Sequence, residues 1–414
     1  MGSDKVENTC FNRYKQEKYE TQKVVVSLTS YPARINIVHQ VIESLFKQKE
    51  QVDEIVLWLS LKEFPGQYND LPETLNCLIG KNGFRIEWIK ENIKSHKKYF
   101  YALQNTKNII ITVDDDMYYS NNMVSTLMNS YRKHPRAISA RSVRIITREK
   151  EKLAPYLTWE KDIMEYVGVE RMDLCALGVR GVLYPPGCVK EEWFDVPAIM
   201  EFAENQDDLW LKFNEIIDHI PVVYTGKAEG DYVIDGSQDN SLQFQNVYGG
   251  DNDVSINKLI GVLKKNHELI YQQWFEGLMY REELLASKRK YYDIQLEDII
   301  MRCNEQDIYI CGAGKYAHIL YEFIKSCEKE NYIKAFLVTQ NAQNENEIPI
   351  KLINDLGQQE EFCVICGVGK NYREEIKEAL RLYEFHTWMD IDIPRIERLI
   401  QLEQNQKSVK KQKK

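Results

Sequence analysis

The sequence predicts an α/β chain in which a large, mostly parallel sheet is followed by a helical connector and a smaller α/β unit. Three observations carry that prediction. Short β-branched runs alternate with helix-period segments between Val24 and Val113. Apolar residues then recur at helical spacing from Ile256 to Leu278. A second strand, glycine turn and helix begin at Asp307. The 414 residues suffice for two or three domains of ordinary size.

The elements can be justified in order. Residues 1–22 are polar and without sustained period, which marks a lead-in segment. Val24 to Leu28 is a β-branched run that meets the turn Thr29-Ser-Tyr-Pro32, and Ile35, Val38, Val41, Ile42, Leu45 and Phe46 then share a helical face. Ile55 to Leu59 and Phe84 to Trp88 read as the next strands, and Tyr99 to Thr106 as a helix. Asn108 to Val113 is a buried strand that stops at three consecutive aspartates. Strands and helices in alternation with short turns require a parallel sheet covered on both faces.

Beyond residue 114 the pattern loosens. Met123 to Tyr131 reads as helix, Ala137 to Ile146 as strand, Leu174 to Val179 as strand, and Gly181 to Gly187 as a turn-rich loop. Leu209, Trp210, Phe213, Ile216 and Ile217 make Asp207 to Ile217 an amphipathic helix. The polar stretch from Gly226 to Asp253 is long for a compact domain, a length that is usually functional, and Asn240, Asn246 and Asp251 to Asp253 are its candidate lid residues. The expected division is a lead-in over 1–22, a first domain over 23–254, a helical connector over 255–303, a second module over 304–394 and a basic tail over 395–414.

Composition excludes several classes of protein. Hydrophobic residues at 43% and charged residues at 28% are those of a folded chain rather than a disordered or collagen-like one. A formal charge of −9 argues against a protein built to grip nucleic acid. No apolar run reaches the roughly 20 residues a membrane-spanning helix needs, and Met1 to Gln22 has no leader pattern, so the expected location is cytoplasmic. Five lysines in Lys407 to Lys414 suggest peripheral contact with the anionic inner face of a membrane. The nine cysteines are scattered, and the one C-x-x-C, Cys363 with Cys366, lies inside a strand-like run, so these are read as buried thiols rather than a zinc or redox motif.

Val113-Asp-Asp-Asp-Met-Tyr118 is the most informative stretch. A strand leaving the sheet into carboxylates places them at a carboxyl-end crevice, where open α/β sheets bind ligands. Adjacent like charges repel and call for a cation among them. A divalent ion held by one or two carboxylates, phosphate oxygens and water is the natural partner. Strand alternation puts Asp114 and Asp116 on one side as the metal pair, with Asp115 opposite.

With this motif, Val26-Ser-Leu-Thr-Ser-Tyr-Pro-Ala-Arg34, Lys94-Ser-His-Lys-Lys-Tyr99, Gly181-Val-Leu-Tyr-Pro-Pro-Gly187 and Asp207-Asp-Leu-Trp-Leu-Lys212 resemble a group of bacterial GT-A glycosyltransferases of surface and capsular polysaccharide type. The resemblance covers about residues 23–255. It implies a GT-A fold, a hexosyltransferase-like activity, a nucleotide-diphosphate sugar donor, Mn or Mg, and a glycan or lipid-linked glycan acceptor. On it, Thr29, Ser30, Tyr31 and Arg34 meet the donor's nucleoside, and Lys97 and Lys98 its diphosphate. His96 adds a hydrogen bond or a metal contact. Asp114 and Asp115 contact the donor, and Asp114 and Asp116 the metal. Asp207 or Asp208 is the candidate base, and Tyr184 and Trp210 line the acceptor side.

Near the C-terminus, Ile308 to Ala317 is a strand, then Gly312-Ala-Gly314, then a helix, a pattern that cradles pyrophosphate in dinucleotide enzymes. The next strand ends in Thr339-Gln340, where such an enzyme carries an acid for the ribose. The module therefore reads as a Rossmann-like unit for docking a partner enzyme or a second copy, ahead of nucleotide binding. Two other functions share parts of this pattern. A sugar nucleotidyltransferase also holds Mg²⁺ and phosphates on carboxylate pairs. A non-catalytic scaffold would use the C-terminal module alone.

Overall fold

The computed structural model describes residues 22–105, 107–226, 228–235, 250–303, 306–340, 348–357, 361–383, 386–394, 396–397 and 399–401. The lead-in up to residue 21, Asn240, Asn246 and the lysine tail lie outside the described residues. The chain divides into two compact units, residues 1–280 and 281–414.

In the first unit, β1 (Val24–Thr29) leads to α1 (Val38–Phe46), β2 (Glu54–Ser60), the short α2 (Glu73–Asn76) and β3 (Phe84–Ile89). Then come α3 (Lys97–Phe100), β4 (Ile109–Thr112), β5 (Met117–Tyr118), α4 (Met123–Lys133), β6 (Ile138–Ala140) and β7 (Val143–Ile145). A small hairpin, β8 (Arg148–Glu149) with β9 (Lys152–Leu153), precedes β10 (Glu170–Arg171), β11 (Leu174–Ala176) and β12 (Val182–Tyr184). The unit continues through α5 (Val196–Phe202), α6 (Asp207–Ile217), β13 (Val222–Tyr224), β14 (Tyr232–Val233), α7 (Asp251–Asn266) and α8 (Glu268–Glu276).

Eight strands form one sheet in the order β10-β13-β6-β12-β4-β1-β2-β3. Strands β4, β1, β2 and β3 are parallel, whereas β12 runs antiparallel between β4 and β6. Val26, Leu28, Ile55, Leu57, Ile109 and Ile111 point to one face, where they pack with Val38, Val41, Ile42 and Leu45 of α1 and Met123, Val124 and Leu127 of α4. The alternation of these apolar residues, packed against an amphipathic helix, fixes the register, since a one-residue slip would turn the apolar set away from α1. The mostly parallel α/β sheet is the class the sequence predicts.

Three local readings are corrected. Gly181 to Gly187 is not a loop throughout: Val182–Tyr184 is a buried strand between β4 and β6. The run Ala137 to Ile146 is two strands, because the chain breaks at Arg141, β6 stays in the main sheet and β7 pairs instead with β11. The helix expected over Tyr99 to Thr106 is the single turn Lys97–Phe100.

The second unit opens with α9 (Arg281–Arg302) and carries β15 (Asp307–Cys311), α10 (Lys315–Ser326), β16 (Ile333–Val338), β17 (Ile350–Leu352), β18 (Phe362–Cys366), α11 (Lys370–Leu380) and β19 (His386–Met389). Its sheet is parallel throughout, in the order β17-β16-β15-β18-β19. Cys363 and Cys366 face opposite sides of β18, each in a different apolar cluster, so the C-x-x-C does not act as one pair. Cys366 instead lies beside its strand partner Cys311, which holds its thiol down to about 7. Beyond β16, Thr339 supplies a hydroxyl, 3.5 Å from Glu375, where a dinucleotide enzyme has an acid on the ribose. We therefore expect no micromolar affinity for NAD or NADP in calorimetry with the full chain; tight binding would overturn this view of the second unit. No helix among the described residues is long and apolar enough to cross a membrane.

Candidate active site

Strand β4 sets the site. It is buried along its length, and at its carboxyl end Val113 N–H still reaches Ser27 O across to β1 at 3.1 Å. The chain then turns at Asp115 and Asp116, so strand alternation no longer applies. All three aspartates line one cavity. Ile234 N–H donates to Asp116 O at 2.9 Å, which places β14 directly beside the motif.

The loop after β1 is tied to the same turn. Ser30 Oγ donates to Asp115 Oδ2 at 2.6 Å, and Arg34 Nη1 lies 2.8 Å from Asp115 Oδ1 and 3.1 Å from Asp116 Oδ2. The Arg34 guanidinium also sits 5.6 Å from the centre of the Tyr31 ring. Burial pushes the Asp115 carboxyl above its usual range, against the pull of Arg34 and Ser30.

The two lysines of α3 are buried rather than solvated. Lys97 Nζ pairs with Glu63 at 2.5 Å. Lys98 Nζ lies 2.7 Å from both Asp114 Oδ1 and Asp207 Oδ2, and so joins the two carboxylate motifs that sequence left ninety residues apart. Burial works to lower the Lys98 pKa, but Asp114, Asp207 and Asp208 outweigh it and hold the ammonium well above its ordinary value. His96 is buried too, with Nδ1 against Tyr99 Oη at 2.8 Å and Nε2 against Ala203 O at 2.7 Å. Burial lowers its pKa. His96 braces α3, and both of its ring nitrogens are engaged away from the aspartates.

Asp207 and Asp208 open α6, where the positive end of the helix dipole favours carboxylates. Their environments separate them. Burial would raise Asp207, but Lys98 and His96 bring it below the usual carboxylate range. Asp208 accepts the Gly178 N–H at 3.1 Å, and burial with the charge of Asp207 pushes it up to about 8.

The cavity is about 540 Å³ and gathers Thr29, Ser30, Tyr31, Arg34, Lys97, Lys98, Asp114 to Asp116, Asp207 and Asp208. Tyr184 and Trp210 are not brought to it. Tyr184 is buried on β12, and the Trp210 indole N–H donates to Trp193 O at 2.8 Å inside the fold. Asn252, from the expected lid segment, lines it, and so do residues that the sequence reading missed: Arg144, Tyr156, Lys161 and Leu177. The available signal was Arg144, which with Arg141 puts a second cation into the strand-like run Ile138 to Ile146. A wider groove of about 940 Å³ lies at the amino ends of β1 to β3, away from all these groups. Its carboxylate, Glu54, is committed to Lys23 and Arg85.

The donor chemistry of the β4 turn fits a hard divalent cation: carboxylate oxygens opening into the cavity, with no thiolate or imidazole among its lining residues. Asp114 and Asp116 would hold it, with Arg34 and Lys98 giving up part of their present contacts. Among the described residues no cluster of three or more potential ligands is already assembled.

Gly178 makes the convergence possible. A Cβ there would fall 2.7 Å from Lys98 Nζ, 3.2 Å from Asp114 Oδ1 and 3.4 Å from Asp208 Oδ1. Its backbone is not in the left-handed region, so alanine changes the space and not the fold. Gly178→Ala is expected to lower turnover by on the order of 10²-fold, the usual effect of moving reacting groups by about 1 Å. Circular dichroism should be unchanged, and normal turnover would show that these groups need not meet.

Neither a protein-family model nor a curated protein sequence matches the chain. Among solved structures, S. aureus TarS (residues 1–349) is similar at 12% identity and a TM-score of 0.32, over 61% of this chain and 69% of that one. Its complex with UDP gives 12% identity and a TM-score of 0.29, over 50% of this chain and 59% of that one. Glucosyl-3-phosphoglycerate synthase from Mycobacterium tuberculosis, bound to Mn²⁺, UDP and glucosyl-3-phosphoglycerate, gives 11% and 0.34, over 60% and 81%. Similarity at this level assigns no residue and no activity to the chain.

Proposed function

We propose that the first unit is a glycosyltransferase that moves a sugar from a nucleotide-diphosphate donor to an acceptor hydroxyl. The observation that supports it is the meeting of the β1 loop, the Asp114–Asp116 turn, the α3 lysines and the Asp207/Asp208 pair in one cavity. On this reading Thr29, Ser30 and Tyr31 receive the nucleoside. Arg34 and Ser30 hold Asp115, which fixes that loop against the turn. Lys97 and Lys98 face the diphosphate. A divalent ion on Asp114 and Asp116, when bound, would neutralise charge on the departing diphosphate.

The pair at the start of α6 then divides its work. Asp207 is ionised and committed to Lys98, which it positions. Asp208 is the group whose proton affinity suits a base near neutral pH. Oxygen of the acceptor bonds to the anomeric carbon as the bond to the diphosphate oxygen breaks, and the hydroxyl proton passes to the Asp208 carboxylate. This assignment goes with inversion at the anomeric carbon. A bacterial surface glycan is the acceptor that the sequence resemblance implies.

A thermal-shift panel of nucleotide sugars with and without Mn²⁺, followed by product analysis, tests the proposal. Stabilisation by one donor and release of its nucleoside diphosphate are expected. Release of pyrophosphate would indicate nucleotidyl transfer instead. No stabilisation and no turnover with any donor would leave a scaffold.

A further inference from the structure

The cavity lining carries a cation that nothing so far uses. Arg144 sits on β7, and Lys161 is its antiparallel bridge partner, so their side chains leave the backbone on the same face. Both line the cavity. Arg34, Lys97 and Lys98 are each committed to carboxylates there. Arg144 is not: no ion pair ties it to a carboxylate among the described residues. Its guanidinium lies 4.7 Å from the centre of the Tyr156 ring, and Nη1 donates to Trp159 O at 2.7 Å. Its Nε is buried without a hydrogen-bond partner.

That guanidinium is held, not loose. Tyr156 is itself pinned, with its N–H donating to Asp253 Oδ1 at 2.9 Å, where α7 begins. Cys175, the strand partner of Arg144, lies against Asp208 O at 3.9 Å. The cation therefore stands on the Asp208 side of the cavity. A planar fork braced on an aromatic ring, with donors to spare, matches the oxygens of a phosphate or a carboxylate.

From this we infer that the acceptor is anionic, carrying a phosphoryl or carboxylate group that Arg144 and Lys161 bind while a nearby hydroxyl reaches Asp208. The inference rests on the glycosyl-transfer reading of the cavity and adds the substrate class. Arg144 and Lys161 are thus acceptor-selecting residues, and a neutral sugar lacks the group they hold.

Calorimetry with the full chain tests it, using glucose, glucose 6-phosphate and glucuronate, each with and without saturating UDP and Mn²⁺. One or both charged probes should bind about tenfold or more tightly than glucose, with the preference falling as salt is added. The preference should survive saturation with UDP, because the diphosphate site is then filled. Preference for glucose 6-phosphate alone identifies a phosphoryl group, and for glucuronate alone a carboxylate. Arg144→Gln should remove the preference and Arg144→Lys retain part of it; Lys161→Gln keeps the test available if Arg144→Gln fails to fold. Equal binding of all three probes, binding of none, loss of the preference under UDP, or its persistence in Arg144→Gln and Lys161→Gln would each overturn the inference. Failure of UDP to bind would instead count against the donor reading, while the Arg144-dependent preference still decides this one.

Discussion

Asp208→Asn is expected to lower kcat by about 10²–10⁴-fold, the usual cost of losing a general base. The substitution keeps the shape of the side chain and still accepts the Gly178 N–H. It removes only the ability to take a proton. Donor affinity and melting temperature should therefore be close to those of the parent chain. Asp207→Asn should behave differently, because Asp207 holds Lys98 at 2.7 Å: donor affinity and stability should both fall. The pH dependence follows from the same pair. With Asp208 pushed up to about 8, turnover should rise with pH through that region as the carboxylate forms. Stability has the opposite slope. Between the ordinary carboxylate range and about 8 the folded chain keeps a proton that the unfolded chain has lost, so stability from this group falls as pH rises. A pH–rate profile and urea melts at several pH values check both signs. Normal kcat in Asp208→Asn would exclude it as the base and favour a retaining mechanism or a base elsewhere.

Much of this site is written locally, and its limits have physical causes. Val24 to Leu28 and Asn108 to Val113 are β-branched runs bounded by turn residues, so the strands and the carboxyl-end position of Asp114 to Asp116 follow from pattern alone. The amphipathic face of Asp207 to Ile217 likewise puts both aspartates at a helix start. What pattern does not supply is pairing across the chain. The alternation that set Asp115 apart from Asp114 and Asp116 holds only in extended backbone, and the chain has already turned there. Lys97 and Lys98 have the look of an exposed basic turn until Glu63, Asp114 and Asp207 are brought around them. Arg144 reaches the cavity because β7 leaves the main sheet to pair with β11, a choice between two long-range partners that neither strand's sequence reveals. Trp210 shows the reverse error. An aromatic next to an aspartate pair suggests sugar stacking, yet α6 points it inward, where its indole N–H has a carbonyl to meet.

Removing Lys98 should cost the fold heavily. Its side chain is 7% exposed and its ammonium contacts two carboxylates, with Asp208 also close enough to raise its pKa. Deleting one partner of a buried ion pair typically costs about 3–5 kcal/mol, because the remaining charge is left uncompensated. Lys98→Met keeps the length and apolar stem of the side chain, so the loss is electrostatic rather than a cavity. Since the Asp114 side chain is 28% exposed and can be partly rehydrated, the lower end, about 3 kcal/mol at neutral pH, is expected. The chain has one way to relieve this, which is to protonate Asp207. Its pKa is low in the parent because Lys98 opposes its burial. Without Lys98, burial should raise it above the unfolded value. The variant then binds a proton on folding in that window, so its deficit should shrink as pH falls from neutral toward the ordinary carboxylate range. In the parent the same group behaves oppositely, contributing stability above the unfolded carboxylate pKa that is lost on further acidification. Six of the seven tryptophans (58, 88, 159, 193, 210 and 274) lie in the first unit, so their fluorescence in urea reports on it. A deficit that is the same at neutral and mildly acidic pH would mean that Lys98 acts through packing and not charge. Lys98→Met combined with Asp207→Asn separates the two cases, since removing both charges should restore much of the stability and none of the turnover.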